Sequence, residues 1–221
     1  MRIKGVIFDL DGTLIDSEGI HLEAWNKLIE NHGETPPPHW HDGTVGMPDT
    51  FARDKMCRLM PAMRPHCDTL VEEKHLVYRA LAKEKGKALA FPGVEDRIIR
   101  LRDAGIGLAV GTNSVLVNTK ATLTASGLID YFDILVTFDA VENGKPAPDI
   151  YLAAAKKLGL SPDECMVLED SPAGLKAARA AGCMVTALTT STSDTDSLNP
   201  RDYLYPNTAA ALDFILSGLD G

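Results

Sequence analysis

From about Phe91 onward, short apolar runs alternate with amphipathic helical stretches, and few architectures accept that rhythm. A strand, a helix and a further strand in succession bury their apolar faces when the strands lie parallel and the helices cover the sheet. Residues 106–111 read as a strand and 115–126 as a helix ending at Gly127; 134–138 read as a strand and 149–158 as a helix closed by Gly159. Residues 165–168 are the next strand, 172–181 a helix stopped by Gly182, 184–188 a strand and 209–216 a last helix. The glycines stand where helix C-termini favour a left-handed residue, and Ser171-Pro172 is a good helix start. Near the N-terminus the apolar run Val6-Ile7-Phe8 leads into Asp9-Leu10-Asp11-Gly12-Thr13. Two carboxylates are thus delivered into a glycine turn at a strand end, the edge of an open α/β sheet where ligands bind.

Residues 17–89 break the rhythm. Ile20, Ala24 and Leu28 share a helical face, 51–60 and 70–85 are helical in pattern, and Gly33-Glu34-Thr35-Pro36-Pro37-Pro38 cannot be helix interior. The expected fold class is therefore α/β: a Rossmann-like parallel-sheet core flanked by helices, formed by residues 1–16 and 90–221, with an inserted α-helical cap domain at 17–89. Two short crossings, near 16–19 and 86–92, make a hinge suited to a lid that shuts water out.

The chain has 221 residues, 45% of them hydrophobic, enough for one large core and a small insert. Its formal net charge of -9 and the lack of any Lys/Arg-rich run argue against nucleic-acid or anionic-membrane partners. A chain this acidic binds phosphate through a metal ion or a few placed cations. No apolar run approaches the roughly 18 residues of a membrane span, and no charged-then-apolar leader precedes the first strand, so a cytoplasmic location is expected. Nothing in the sequence speaks to oligomeric state. The four cysteines form no C-x-x-C pair and are expected to be buried reduced thiols.

With the first strand central in a right-handed winding, four elements converge at one mouth. They are Asp9 with Asp11, Thr112-Asn113, Gly144-Lys145-Pro146, and Glu169-Asp170. Singly, each has an ordinary explanation: a turn, a solvated loop lysine, a helix cap. Jointly they provide what attack on a phosphate monoester requires. Carboxylates are Mg²⁺ ligands, a free carboxylate can form an aspartyl-phosphate, a neighbouring carboxyl can carry the proton, and lysine and hydroxyl groups hold the transferring oxygens.

These motifs, in this order, resemble the haloacid dehalogenase (HAD) superfamily over essentially the whole chain, and the insert resembles the helical cap of its β-phosphoglucomutase-like branch. The resemblance implies that Asp9 is nucleophile and Mg²⁺ ligand, and Asp11 general acid/base with its backbone carbonyl on the metal. It also implies that Asp170 is a further ligand, with Glu169 supporting the metal shell. Thr112 and Asn113 would bind phosphoryl oxygens, and Lys145 would bridge nucleophile and phosphate. Asp11 argues against phosphonatases and true dehalogenases, which lack this carboxylate.

In the insert, His21 matches a branch histidine that relays protons or contacts substrate, and equally suits a helix surface. Residues 43–49 resemble the branch's specificity loop, with Gly46 allowing close approach. The mutases carry a lysine and an arginine where this chain has Val45 and Asp49, and a Lys-Asn pair where it has Val115-Leu116. Those departures favour a Mg²⁺-dependent phosphatase of small phosphorylated metabolites, a sugar or polyol phosphate, over a hexose-phosphate mutase. Arg53, Lys55, Arg58 and Lys74 are expected on solvated helix faces.

Overall fold

The computed structural model describes residues 3–44, 48–188 and 203–219. The chain divides into two compact units, Met1–Asp16 with Lys87–Gly221, and Ser17–Gly86.

The first unit is built on a six-stranded, all-parallel sheet in the order β3-β2-β1-β4-β5-β6. The strands are β1 (Gly5–Phe8), β2 (Gly107–Gly111), β3 (Ile134–Val136), β4 (Cys165–Glu169), β5 (Met184–Leu188) and β6 (Tyr203–Tyr205). The order reverses at β1, which pairs with β2 on one side and β4 on the other. That puts the topological switch at the C-terminal end of the first strand, as its central placement predicts. Ile7 lies in register with Ala109 and Val167, and Val167 with Val185. All four are buried in a cluster with Ile150, Tyr151, Ala154, Leu175 and Ala178. Full burial of each large apolar side chain is worth about 1.5–3 kcal/mol, so this cluster fixes the register from which the strand-end residues emerge.

The helices of this unit are α4 (Val94–Asp103), α5 (Leu116–Ser126), α6 (Asp149–Leu158), α7 (Pro172–Ala181) and α8 (Thr208–Ser217), numbering three earlier helices of the second unit first. α5, α6 and α7 stop at the expected left-handed glycines. α5 is unusual in burying Asn118, Thr119, Thr122 and Ser126. It tolerates them because Thr119, Thr122 and Ser126 each return their hydroxyl to a backbone carbonyl of the preceding turn. Two expectations shift. The strand expected at 134–138 ends at Val136, and Phe138–Ala140 forms a 3-10 turn. The edge strand β6 was not anticipated, because Tyr203-Leu204-Tyr205 is short and exposed and shows no alternation of burial.

The second unit is helical: α1 (Glu18–Asn31), α2 (Asp49–Leu59) and α3 (Leu70–Lys85), with a 3-10 segment Pro61–His66. α1 packs on α3. Trp25, Leu28, Trp40, Met56 and Met63 lie in its buried core, and the Trp40 indole donates to Asn26 Oδ1 at 2.9 Å. The expectation of four reduced cysteines is corrected here: Cys57 and Cys67 form a disulfide. The 3-10 segment folds back from the end of α2 and joins residues ten apart, a pairing that no C-x-x-C search detects. Cys165 and Cys183 are free thiols. Among the described residues no helix is long and apolar enough to cross a membrane.

Candidate active site

The strand ends of the first unit bring most of the expected residues together. Asp9 continues β1, its N–H donating to Leu168 O at 3.0 Å, and Thr112 follows β2, its N–H donating to Val136 O at 3.0 Å. Glu169 is the last residue of β4, and Asp170 follows it. Lys145 reaches this edge from the loop before α6. Its Nζ lies 2.5 Å from Asp9 Oδ1 and 2.6 Å from Glu169 Oε1, and 4.9 Å from the Tyr151 ring centroid. The Lys145 side chain is 3% exposed and that of Glu169 is wholly buried, so these are charge-assisted bonds out of bulk water.

Glu169 is the most heavily bonded carboxylate of the group. Oε1 accepts from Lys145 Nζ and, at 2.9 Å, from the Tyr151 hydroxyl. Oε2 accepts from the Asp170 and Ser171 N–H groups, both at 2.9 Å, and from Ser171 Oγ at 3.0 Å. Five donors saturate the roughly four lone-pair sites of a carboxylate, so Glu169 orients its neighbours. Ser171 Oγ also accepts from Gly174 N at 3.0 Å, capping α7. Gly174 is the residue against which the Glu169 carboxylate lies, and a Cβ there would overlap it. Gly12 plays the matching part for Asp170: at φ 80° it turns the chain, and a Cβ would overlap the Asp170 carboxylate.

The Asn113 side chain is engaged with the Lys145 backbone in both directions. Its Oδ1 accepts from Lys145 N at 2.8 Å and its Nδ2 donates to Lys145 O at 3.3 Å. This amide therefore fixes the lysine loop, where the Lys145-Pro146 peptide is cis. Thr112 Oγ1 accepts from Ser114 N at 3.0 Å, which leaves its own hydroxyl proton to donate. Asp11 Oδ2 accepts from Ser114 Oγ at 2.9 Å.

Burial pushes Asp9 well above the usual carboxylate range; Lys145 opposes this, while the charges of Glu169, Asp170 and Asp11 add to it. Burial alone would lower Lys145, but Asp9 and Glu169 outweigh it and raise the ammonium above its ordinary value. Tyr151 is raised by burial and by Glu169, so its hydroxyl remains a donor. Two carboxylates, Asp9 and Glu169, share the Lys145 ammonium, and Asp170 and Asp11 add further negative charge beside Asp9. Atoms of Asp9, Glu169 and Asp170 lie within 4.8 Å of one another, the one such metal-type grouping among the described residues. An all-oxygen, charge-deficient set of this kind fits a hard divalent cation such as Mg²⁺.

His21 and Lys74 lie in the helical unit. Lys74 is not on a solvated face: it is fully buried, its Nζ 2.7 and 2.8 Å from the two Asp49 oxygens and 2.8 Å from His21 Nδ1. Because an ammonium only donates, His21 Nδ1 accepts and the ring proton sits on Nε2. His75 Nε2 completes the group at 2.9 Å from Asp49 Oδ2. Burial works to raise Asp49, but the His75 hydrogen bond and the Lys74 charge reverse it and hold the carboxyl well below its ordinary range. Arg53 pairs with Asp54, and Lys55 donates to Asp42 O. Gly46 lies outside the described residues.

Sequence reasoning missed Ser114, Tyr151, Ser171 and Gly174 as parts of this site. Ser114 and Ser171 directly follow expected motif residues, so adjacency was the available signal. Tyr151 and Gly174 read only as helix positions.

A family model for the haloacid dehalogenase-like hydrolases matches residues 3–182. The chain belongs to the haloacid dehalogenase-like hydrolase family. Among relatives of this HAD-like hydrolase, the hexitol phosphatase A of Escherichia coli is 35% identical over 202 residues, covering 91% of this chain and 90% of that protein. The phosphorylated carbohydrates phosphatase of Thermotoga maritima is 34% identical over 187 residues, covering 81% of this chain and 82% of that protein. In fold, the HAD-like chain matches the β-phosphoglucomutase of Clostridium difficile with a TM-score of 0.79 at 24% identity, over 99% of this chain and 97% of that one.

Proposed function

We propose that this HAD-like hydrolase is a phosphatase of small phosphomonoesters, a sugar or polyol phosphate, working through an aspartyl-phosphate on Asp9. The observation that carries this is the buried Lys145 ammonium 2.5 Å from Asp9 Oδ1, with Asp11 two residues further on and bonded to Ser114. The phosphatases among the relatives, at 34% and 35% identity, support the substrate class.

Asp9 attacks phosphorus, and the departing oxygen takes a proton from Asp11. Asp11 then removes a proton from the water that hydrolyses the aspartyl-phosphate. Lys145 offsets charge on the phosphoryl oxygens, and Thr112 holds one of them through its hydroxyl. Tyr151, Ser171 and Asn113 keep Glu169 and Lys145 in place. Mg²⁺ bound by Asp9, Asp170 and the Asp11 backbone carbonyl, with Glu169 in support, would neutralise the anionic substrate. The inserted helical unit acts as the cap, where His21 and Gly46 are assigned to substrate contact.

Phosphate release from a panel of sugar and polyol phosphates, with and without Mg²⁺, tests the proposal. Metal-dependent inorganic phosphate is the expected product, abolished in Asp9→Asn. A sugar 6-phosphate formed from a sugar 1-phosphate would instead make the chain a mutase.

A further inference from the structure

Ser114 occupies the turn between β2 and α5 and is held from three directions. Its N–H donates to Thr112 Oγ1 at 3.0 Å, its carbonyl accepts from Phe138 N at 3.2 Å, and its Oγ donates to Asp11 Oδ2 at 2.9 Å. The first two contacts fix the serine backbone, so the third restricts where the Asp11 carboxyl can turn. Ser114 links the hydroxyl assigned to the phosphoryl group with the carboxyl assigned to the proton.

We propose that Ser114 is a positioning residue for Asp11, assigning Oδ2 as the oxygen that accepts from serine and Oδ1 as the oxygen that exchanges the proton with the leaving group. The idea rests on the phosphatase mechanism above. In the first step the Asp9–phosphorus bond forms, the bond from phosphorus to the leaving oxygen breaks, and that oxygen takes the proton from Asp11 Oδ1. In the second, water attacks phosphorus, gives its proton to Asp11 Oδ1, and the Asp9–phosphorus bond breaks. Ser114 keeps its own proton throughout, donating to Oδ2 in both states. An aligned general acid contributes about 10²–10⁴-fold, and only where the leaving oxygen needs a proton.

The test compares kcat/KM for an alkyl phosphate, glycerol 3-phosphate or a hexitol phosphate, with that for 4-nitrophenyl phosphate, whose leaving group departs unprotonated. Because kcat/KM reports the steps up to the first irreversible one, aryl turnover there omits the later water step. Ser114→Ala is expected to lower the alkyl value about 10–100-fold and the aryl value by less than about 3-fold, as misalignment removes part of the acid contribution. Ser114→Thr, which keeps the hydroxyl, is expected to restore the alkyl value. Equal losses on both substrates would overturn the proposal in favour of a purely structural or phosphate-holding role. An unchanged alkyl value would overturn it also, while wild-type turnover leaves the phosphatase mechanism standing. A wild-type protein that releases phosphate from neither substrate brings down both.

Discussion

Asp49→Asn tests the physics of the helical unit with a built-in reporter. The chain's two tryptophans, Trp25 and Trp40, both lie in this unit's core, and Trp25 is 5.7 Å from Lys74 Nζ. Lys74 is fully buried, and Asp49 is its carboxylate partner. An asparagine amide has two orientations. Placing NH₂ at the Oδ2 position opposes two donors, Lys74 at 2.8 Å and His75 at 2.9 Å; placing it at the Oδ1 position opposes Lys74 alone. The cheaper orientation still loses one charge-assisted bond, about 1.5–3 kcal/mol, and leaves a buried ammonium without its counter-charge. Breaking a buried pair costs about 3–5 kcal/mol, and the retained carbonyl and the 23% exposure of Asp49 reduce this. The expected loss is about 2–4 kcal/mol in urea unfolding followed by tryptophan fluorescence. Lys74→Met in the same background should recover most of it, since Trp25 and Tyr78 flank that position. A depressed carboxylate contributes stability above its unfolded pKa, about 3.9, and loses it as pH falls through the lower folded value. Wild type should therefore shed this contribution progressively as pH falls below about 4, and the variant should lack that acid-dependent component. A loss below about 0.5 kcal/mol, under half of a single typical hydrogen bond, would refute the reasoning.

Two other substitutions probe the strand-end site. Glu169→Gln must turn an amide NH₂ toward donors; the least costly choice faces Lys145 and Tyr151, whose hydroxyl can rotate to accept. Relief of carboxylate repulsion offsets part of the lost charge-assisted bonding, leaving a net cost of about 2–4 kcal/mol by urea unfolding in EDTA, with alkyl phosphatase turnover reduced at least about 100-fold. Gly174→Ala gains about 1 kcal/mol of helix propensity but drives a Cβ into the Glu169 carboxylate. Overpacking costs about 1–3 kcal/mol, so a net loss in melting experiments is expected, and a net gain would mean that Glu169 moves freely.

The sheet was legible because strand period and helix period alternate from about Phe91 onward, and the acids of the family-level site because they stand at strand ends, with the lysine in the loop before α6. α6, α7 and β5 begin and end where the pattern placed them. What was not legible depends on side-chain geometry. Asn113 was expected on phosphate, and nothing in the sequence signalled that its amide also bonds the Lys145 backbone. Lys74 was expected in solvent because charged residues on helices usually are; the ion pair to Asp49 and the contact with His21, with the Trp25 and Tyr78 rings alongside, make its burial tolerable. The Cys57–Cys67 bridge depends on a fold-back after α2 that has no local signature beyond Pro61 and Pro65.

The most direct test of the account is covalent. Enzyme mixed with an excess of radiolabelled sugar phosphate and Mg²⁺, quenched in acid within a turnover and mapped by peptide mass spectrometry, should carry one acid-stable, base-labile phosphate on Asp9. Asp9→Asn should carry none and release none. Label on another residue, or full turnover by Asp9→Asn, would contradict the account.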